Sequence, residues 1–253
     1  MKHIPTLFRR ELASYLLSPI AFLILLAFLA MAWVNFWELL RLLSQNTLAY
    51  SGRSDPLNNY IAGSFSFWLG LLIAIPAITM RLLAEERRSG TIESLLTLPI
   101  TTAEIVVAKW LAGVAMYLIL LLPFAMYLPF LYHQGKYPFD LGPVVSLGLG
   151  LLSMGMMFVS IGLFFSASTK NQIVAAIWTF VVLFLLILSQ MAYQYAATKK
   201  ESWAEGIQFL SVLHQVSQFS AGRLDIRYIM THLSLSGFML HLTIKVVDWR
   251  RES

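Results

Sequence analysis

Glu85-Glu86-Arg87-Arg88 is the densest run of charge in a chain that carries little of it. Of its 253 residues only 12% are charged, whereas 58% are hydrophobic. Paired glutamates serve hydrolytic and processing enzymes embedded in membranes, where an arginine follows four residues after the second glutamate. Here that position is Gly90. There is no His-Glu-x-x-His, and His232 and His241 lie nine residues apart, the wrong spacing for two ligands on one helical turn. With no cysteine, disulfides and thiolate metal sites are excluded. The charged block therefore reads poorly as a catalytic centre, and its surroundings have to say what else it does.

Those surroundings alternate helix and break. Arg81, Glu85 and Arg88 share a face at helical spacing, which predicts a helix projecting from a membrane into water. Gly90 breaks it. Thr91 can cap a new short helix with Glu93 in its first turn, and Ser94 lies inside it. Ile92, Leu95 and Leu96 give that helix an apolar stripe before Pro99 ends it. Thr101 and Glu104 form a capping box for the next long helix. Two readings stay open from these residues alone: an ordinary interfacial connector, or a docking element for a cytoplasmic partner.

The elements that must position this block are membrane spans. A soluble domain carries roughly twice this charged fraction, and a chain of this length cannot hide so much apolar surface in one core. Charge-free runs cover 12–37, 60–80, 110–133, 141–169 and 171–198, with a weaker one at 228–244. That makes about six spans in an all-α integral membrane fold, read as one domain over 1–253. With the N-terminus inside, Lys2, Arg9, Arg10, Arg81, Arg87, Arg88, Lys109, Lys170, Lys245, Arg250 and Arg251 are cytoplasmic. Arg41, Arg53, Lys136, Lys199, Lys200, Arg223 and Arg227 are then outside. Eleven against seven of the 18 basic residues favours both termini in the cytoplasm. Trp33, Trp37 and Arg41 suit an anchor at the outer interface.

Shorter features complete the pattern. Ile4, Leu7 and Phe8 lie at helical spacing among Lys2, Arg9 and Arg10, as expected of a helix lying on the membrane surface. Ser202 and Glu205 make a capping pair ahead of Trp203, Ile207, Leu210 and Leu213, which predicts an amphipathic helix at the outer leaflet. Gly148, Gly155 and Gly162, with Gly142, Ser146 and Gly150, let helices approach closely on the fourth span. No span holds Asp, Glu, Lys or Arg in its middle, which disfavours an ion-coupled carrier. His232 and His241 read as hydrogen-bonded or interfacial side chains. The modest net charge of +5 suits anionic headgroups rather than nucleic acid.

Taken together, these residues resemble the membrane subunits of ABC-2 type transporters, and within them the gliding-motility (GldF-like) permeases; the subunit of nitrous-oxide-reductase maturation is a more distant cousin. The segments that carry the resemblance are Phe8 to Pro19, Met80 to Pro99 with Ala108-Lys109-Trp110-Leu111, Gly162 to Ala176, and Phe219 to Asp225. Ala108 departs from the glycine expected there. The resemblance implies a six-span permease in a bacterial plasma membrane, paired with a second permease copy or relative and with two ATPase subunits. An accessory subunit is a further candidate partner. The N-terminal segment would be an elbow helix, Gly90 to Leu98 the coupling helix, and the segment before the last span a set of short extracellular helices. Glu85, Glu86, Arg87, Arg88, Gly90, Thr91, Glu93 and Ser94 would make the ATPase contact. The chain has no Gly-x-x-x-x-Gly-Lys-Ser/Thr loop, so ATP and Mg are expected in the partner and no cofactor in this chain. Rival readings are an intramembrane enzyme, a carrier working without ATP and a membrane scaffold, and a bound ATPase separates the first reading from all three.

Overall fold

Every regular element among the described residues, 3–44, 58–90, 100–129 and 141–252 of this computed structural model, is helical. The helix α1 (Ile4–Leu16) turns a corner at Leu17 and Ser18 into α2 (Pro19–Ser44). Pro19 suits the first turn of α2, where its missing N–H costs nothing. A π turn at Asn58–Ala62 leads to α3 (Phe65–Thr79), whose first turn is capped by Ser64 Oγ accepting from the Phe67 N–H at 3.2 Å. Then come α4 (Ala84–Ser89), α5 (Thr102–Met126), α6 (Leu141–Ser168) and α7 (Gln172–Lys199). Two short helices, α8 (Ala204–Ile207) and α9 (Val212–Ser220), precede α10 (Ile226–Glu252).

Four of these helices are long and apolar enough to cross a membrane: Pro19–Arg41 of α2, Thr102–Met126, Gly142–Ser168 and Gln172–Lys199. They coincide with four of the six expected runs. The second expected run is helical over only 15 residues, Phe65–Thr79. The sixth gives a helix of 27 residues, but Arg227, His232, His241 and Lys245 dilute its apolar content.

At the centre stands α6, with 67% of its most apolar stretch buried, against 28% for α2 and 17% for α7. It packs along α5 and α10. A Cβ on Gly155 would come within 2.0 Å of the Tyr117 ring, and one on Gly162 within 2.2 Å of Thr79 Oγ1. Gly150 likewise makes room for Phe219, whereas Gly148 faces open space. The expected glycine row is thus a packing device at two of its three positions. Ser160 and Ser236 join α6 to α10 at 2.6 Å. By contrast, α2 and α7 turn large apolar side chains outward, among them Phe22, Leu23, Leu26, Ile177, Phe184 and Leu185.

One polar knot lies between α2 and α3. Asn35 is buried; its Oδ1 accepts from Ser64 Oγ at 2.5 Å and Ser66 Oγ at 2.9 Å, and its Nδ2 donates to the Met31 carbonyl at 3.0 Å. Trp33 and Trp37 pack edge to face nearby and are half exposed. The bundle therefore has two ends. One gathers α1, α4, the start of α5 and the close of α6, and is called the Lys109 end. The other gathers α8, α9 and the start of α10, and is called the Gln215 end.

Candidate functional site

At the Lys109 end the charged block folds around helix ends. The helix of the second apolar run does not continue through Glu85 and Arg88 as its spacing predicts: α3 stops at Thr79, and α4 starts afresh at Ala84. The cause is tertiary. Ser166 Oγ, from the last turn of α6, accepts from the Leu83 and Ala84 N–H groups at 3.0 and 3.1 Å and donates to the Met80 carbonyl at 3.1 Å. One hydroxyl thus satisfies orphan groups at both the close of α3 and the opening of α4. Arg81 and Glu85, expected on one face, pair at 2.9 Å, and Arg81 Nη1 also donates to Ser18 Oγ at 2.6 Å. Tyr15 on α1 donates to the Ile78 carbonyl at 2.8 Å, filling another orphan acceptor in the last turn of α3.

The four charged residues separate into different surroundings. Glu85 stays with Arg81, and Arg88 is exposed. The Arg87 guanidinium donates to the Ala167 carbonyl, placing a cation at the C-terminus of α6 where the helix dipole favours it. Glu86 turns inward to Lys109 of α5, with Oε1 2.8 Å from Nζ. On the other side of that ammonium lies Glu11 of α1, 3.1 Å away. Lys109 is only 3% exposed. A single buried cation therefore joins three helices through two carboxylates. Burial pushes the Glu86 carboxyl above its usual range; the Lys109 ammonium opposes that shift and Glu11 adds to it.

Gly90 ends α4 in the left-handed region, φ 74°, which a Cβ would strain. The expected break is therefore present. The capping box is too: Glu104 N–H donates to Thr101 Oγ1 and Thr101 N–H to Glu104 Oε2, both at 3.3 Å. Thr91, Glu93 and Ser94, with the expected short helix of 91–99, lie outside the described residues. Sequence reasoning missed Glu11, Tyr15, Ser18 and Ser166. For Glu11 a signal existed, since it is the only acidic residue before Glu38. For the hydroxyls there was none.

The helix α1 lies along α5, with Phe8 packed on the core, Tyr15 buried, and Ile4 and Leu7 half-exposed. Arg9 and Arg10 face outward.

At the Gln215 end the long segment before α10 is also differently arranged. No side-chain cap forms at the start of α8, and the chain turns again before α9. The buried face is Val212, Gln215, Val216 and Phe219, whereas Trp203 and Leu210 are exposed. Gln215 Nε2 donates to the Gln208 and Phe209 carbonyls at 3.2 and 2.9 Å, so its Oε1 is left to accept from His232 Nε2 at 2.7 Å. This fixes the His232 tautomer, with Nδ1 facing Ser153 Oγ of α6 at 3.0 Å. His232 is thus the hydrogen-bonded side chain expected, and His241 is exposed far from it. Further links run from Ser211 to Gln190 and from Ser189 Oγ to the Leu210 carbonyl, both to α7. Among the described residues no cluster of His, Asp or Glu could hold a metal ion.

Each end is a joint: ionic at one, a neutral hydrogen-bond chain at the other. The family described as ABC-2 family transporter protein matches residues 21–240. No curated protein matches the chain.

Proposed function

We propose, for a chain that belongs to the ABC-2 transporter family, that it is the permease half of an exporter driven by a separate ATPase. The observation that carries this reading is the buried Lys109 joint. A permease without a nucleotide site receives work only through a mechanical contact, and such a contact must be fastened to the spans. Lys109 fastens α4 to α5 and α1 at the point where the chain leaves for residues 91–99. The coupling helix expected from the sequence, with Thr91, Glu93 and Ser94, falls in those residues, which lie outside the described ones. Gly90 is the hinge before it, and Arg88 is free to meet the ATPase surface. The helix α1 is the elbow.

The Lys109 end is then cytoplasmic, with both termini inside a bacterial plasma membrane. Six spans, α2, α3, α5, α6, α7 and α10, make one permease domain. The apolar faces of α2 and α7 suit lipid and a second permease, and the likeness over Phe8 to Pro19 and Met80 to Pro99 supports a reading as a gliding-motility permease. ATP and Mg belong to the partner ATPases. Purification from native membranes in mild detergent, with identification of every bound chain, tests the reading. An ATPase chain is expected to copurify, and the isolated permease to hydrolyse no ATP. Proline at Ser94 should cost its helix about 3 kcal/mol and release the ATPase while the spans stay folded. Finding no ATPase partner would sink the transporter reading, and full ATP-driven transport in Ser94→Pro would sink the coupling-helix assignment.

A further inference from the structure

One helix makes contacts at both ends. Ser166 and the Ala167 carbonyl, in the last turn of α6, hold α4 at the Lys109 end. Ser153 and Gly150, nearer its start, hold the α8–α9 cap at the Gln215 end, Ser153 through His232 and Gln215 and Gly150 through Phe219. From residue 166 to residue 153 is about 20 Å along a helix axis. Between these points α6 is locked to its neighbours. The Tyr117 ring fills the space over Gly155 and its hydroxyl donates to the Leu151 carbonyl at 2.9 Å; Trp110 Nε1 donates to the Met156 carbonyl at 3.2 Å.

We propose that α6 is the rod that carries movement of α4 to the α8–α9 cap, and that the Ser153–His232–Gln215 chain is the release point at its far end. The proposal rests on the exporter reading for what the movement is used for, but the mechanical link stands on this chain alone. Close-packed interiors transmit displacement because they cannot deform continuously. Apolar contacts alone would let α9 slide as α6 shifts. A buried, directional chain with Gln215 already committed to two carbonyls does not slide. It holds or it breaks, which gives the cap two discrete positions.

Coupling of two sites is reciprocal in free energy, and that supplies the test. The full-length chain is placed in lipid nanodiscs, and amide hydrogen exchange is followed at α4 and at α9. Ser166→Ala should speed exchange across Val212–Ser220 by about fivefold or more, although it lies at the other end. Gln215→Leu should speed exchange across Ala84–Ser89 by a similar factor. Ser18→Ala, which frees Arg81 from the α1–α2 corner while leaving its pair with Glu85 and all of α6 in place, should leave α9 unchanged. Effects confined to the mutated end, or an α9 response to Ser18→Ala equal to that of Ser166→Ala, would overturn the rod. If Ser166→Ala does not fold, the Gln215→Leu reading at α4 decides alone. Copurification of an ATPase is scored separately, so failure of the exporter reading and failure of the rod give different results.

Discussion

Replacing Lys109 by methionine tests whether the buried joint is held by its cation. Each Nζ–carboxylate contact, at 2.8 and 3.1 Å, is worth about 5–6 kcal/mol at an effective dielectric near 20, before desolvation is subtracted. Methionine keeps the volume and removes the charge. It strands Glu11 and Glu86 together in a site where their side chains are only 15% and 14% exposed. Breaking a buried pair in this way costs about 3–5 kcal/mol. Thermal unfolding in nanodiscs, followed by tryptophan fluorescence, should show a Tm lower by about 6–20 °C. Glu86→Gln should change stability by only about 1 kcal/mol, since Lys109 keeps Glu11 and the amide oxygen still accepts. Adding Glu11→Gln and Glu86→Gln to Lys109→Met should recover most of the loss, because neutral replacements of similar volume remove the stranded charges. The pH dependence has a definite sign. The folded Glu86 carboxyl binds its proton above its ordinary value of 4.5, so the folded state gains stability as pH falls through that raised value toward 4.5. The deficit of Lys109→Met should therefore narrow on acidification. A Lys109→Met protein as stable as the parent, or a Glu86→Gln protein as unstable as Lys109→Met, would refute the argument.

Orientation can be checked directly, because the chain lacks cysteine: cysteine at Lys200 should react with an impermeant thiol reagent in intact cells, and cysteine at Lys170 only after permeabilisation. Gly155→Ala drives a methyl into the Tyr117 ring and should cost about 1–3 kcal/mol, whereas Gly148→Ala, facing open space, should leave Tm unchanged. His214, half-buried against Tyr193 and Tyr228, is held by desolvation below its ordinary value of 6.5. The folded state then binds fewer protons than the unfolded one. The contribution of His214 to the docked α9 is accordingly full above 6.5 and declines as pH falls below it. Amide exchange of α9 against pH should show this decline, and His214→Phe should flatten it.

Local signals in the sequence were legible where the cause was local. The Thr101–Glu104 box, the Gly90 break and the four apolar helices depend on neighbouring residues and are present. The Lys109 joint could not be read so. Glu11 and Lys109 are far apart in the chain, and nothing in either one's neighbourhood names the other. The break after Thr79 was unreadable for the same reason: residues 80–83 carry no Gly or Pro, and the chain turns because Ser166 supplies the missing partners. At the Gln215 end the periodicity of Trp203, Ile207, Leu210 and Leu213 misled, because the turn over 208–211 resets the helical phase. The face that docks is counted from Val212. Of the charged block, its inward and outward members were indistinguishable until α1 and α6 were in place.

The Asn35 knot bears on how the chain is assembled in the bilayer. Insertion from the N-terminus delivers α2 first, and its apolar length lets it settle in lipid alone. Asn35 arrives with it, and within α2 only its Nδ2 has a partner, the Met31 carbonyl. The acceptor Oδ1 waits for Ser64 and Ser66, which emerge about thirty residues later with the next helix. The acceptor of α2 is thus filled only once the next helix has been made, which sets the register of the pair before the helices that later enclose them exist.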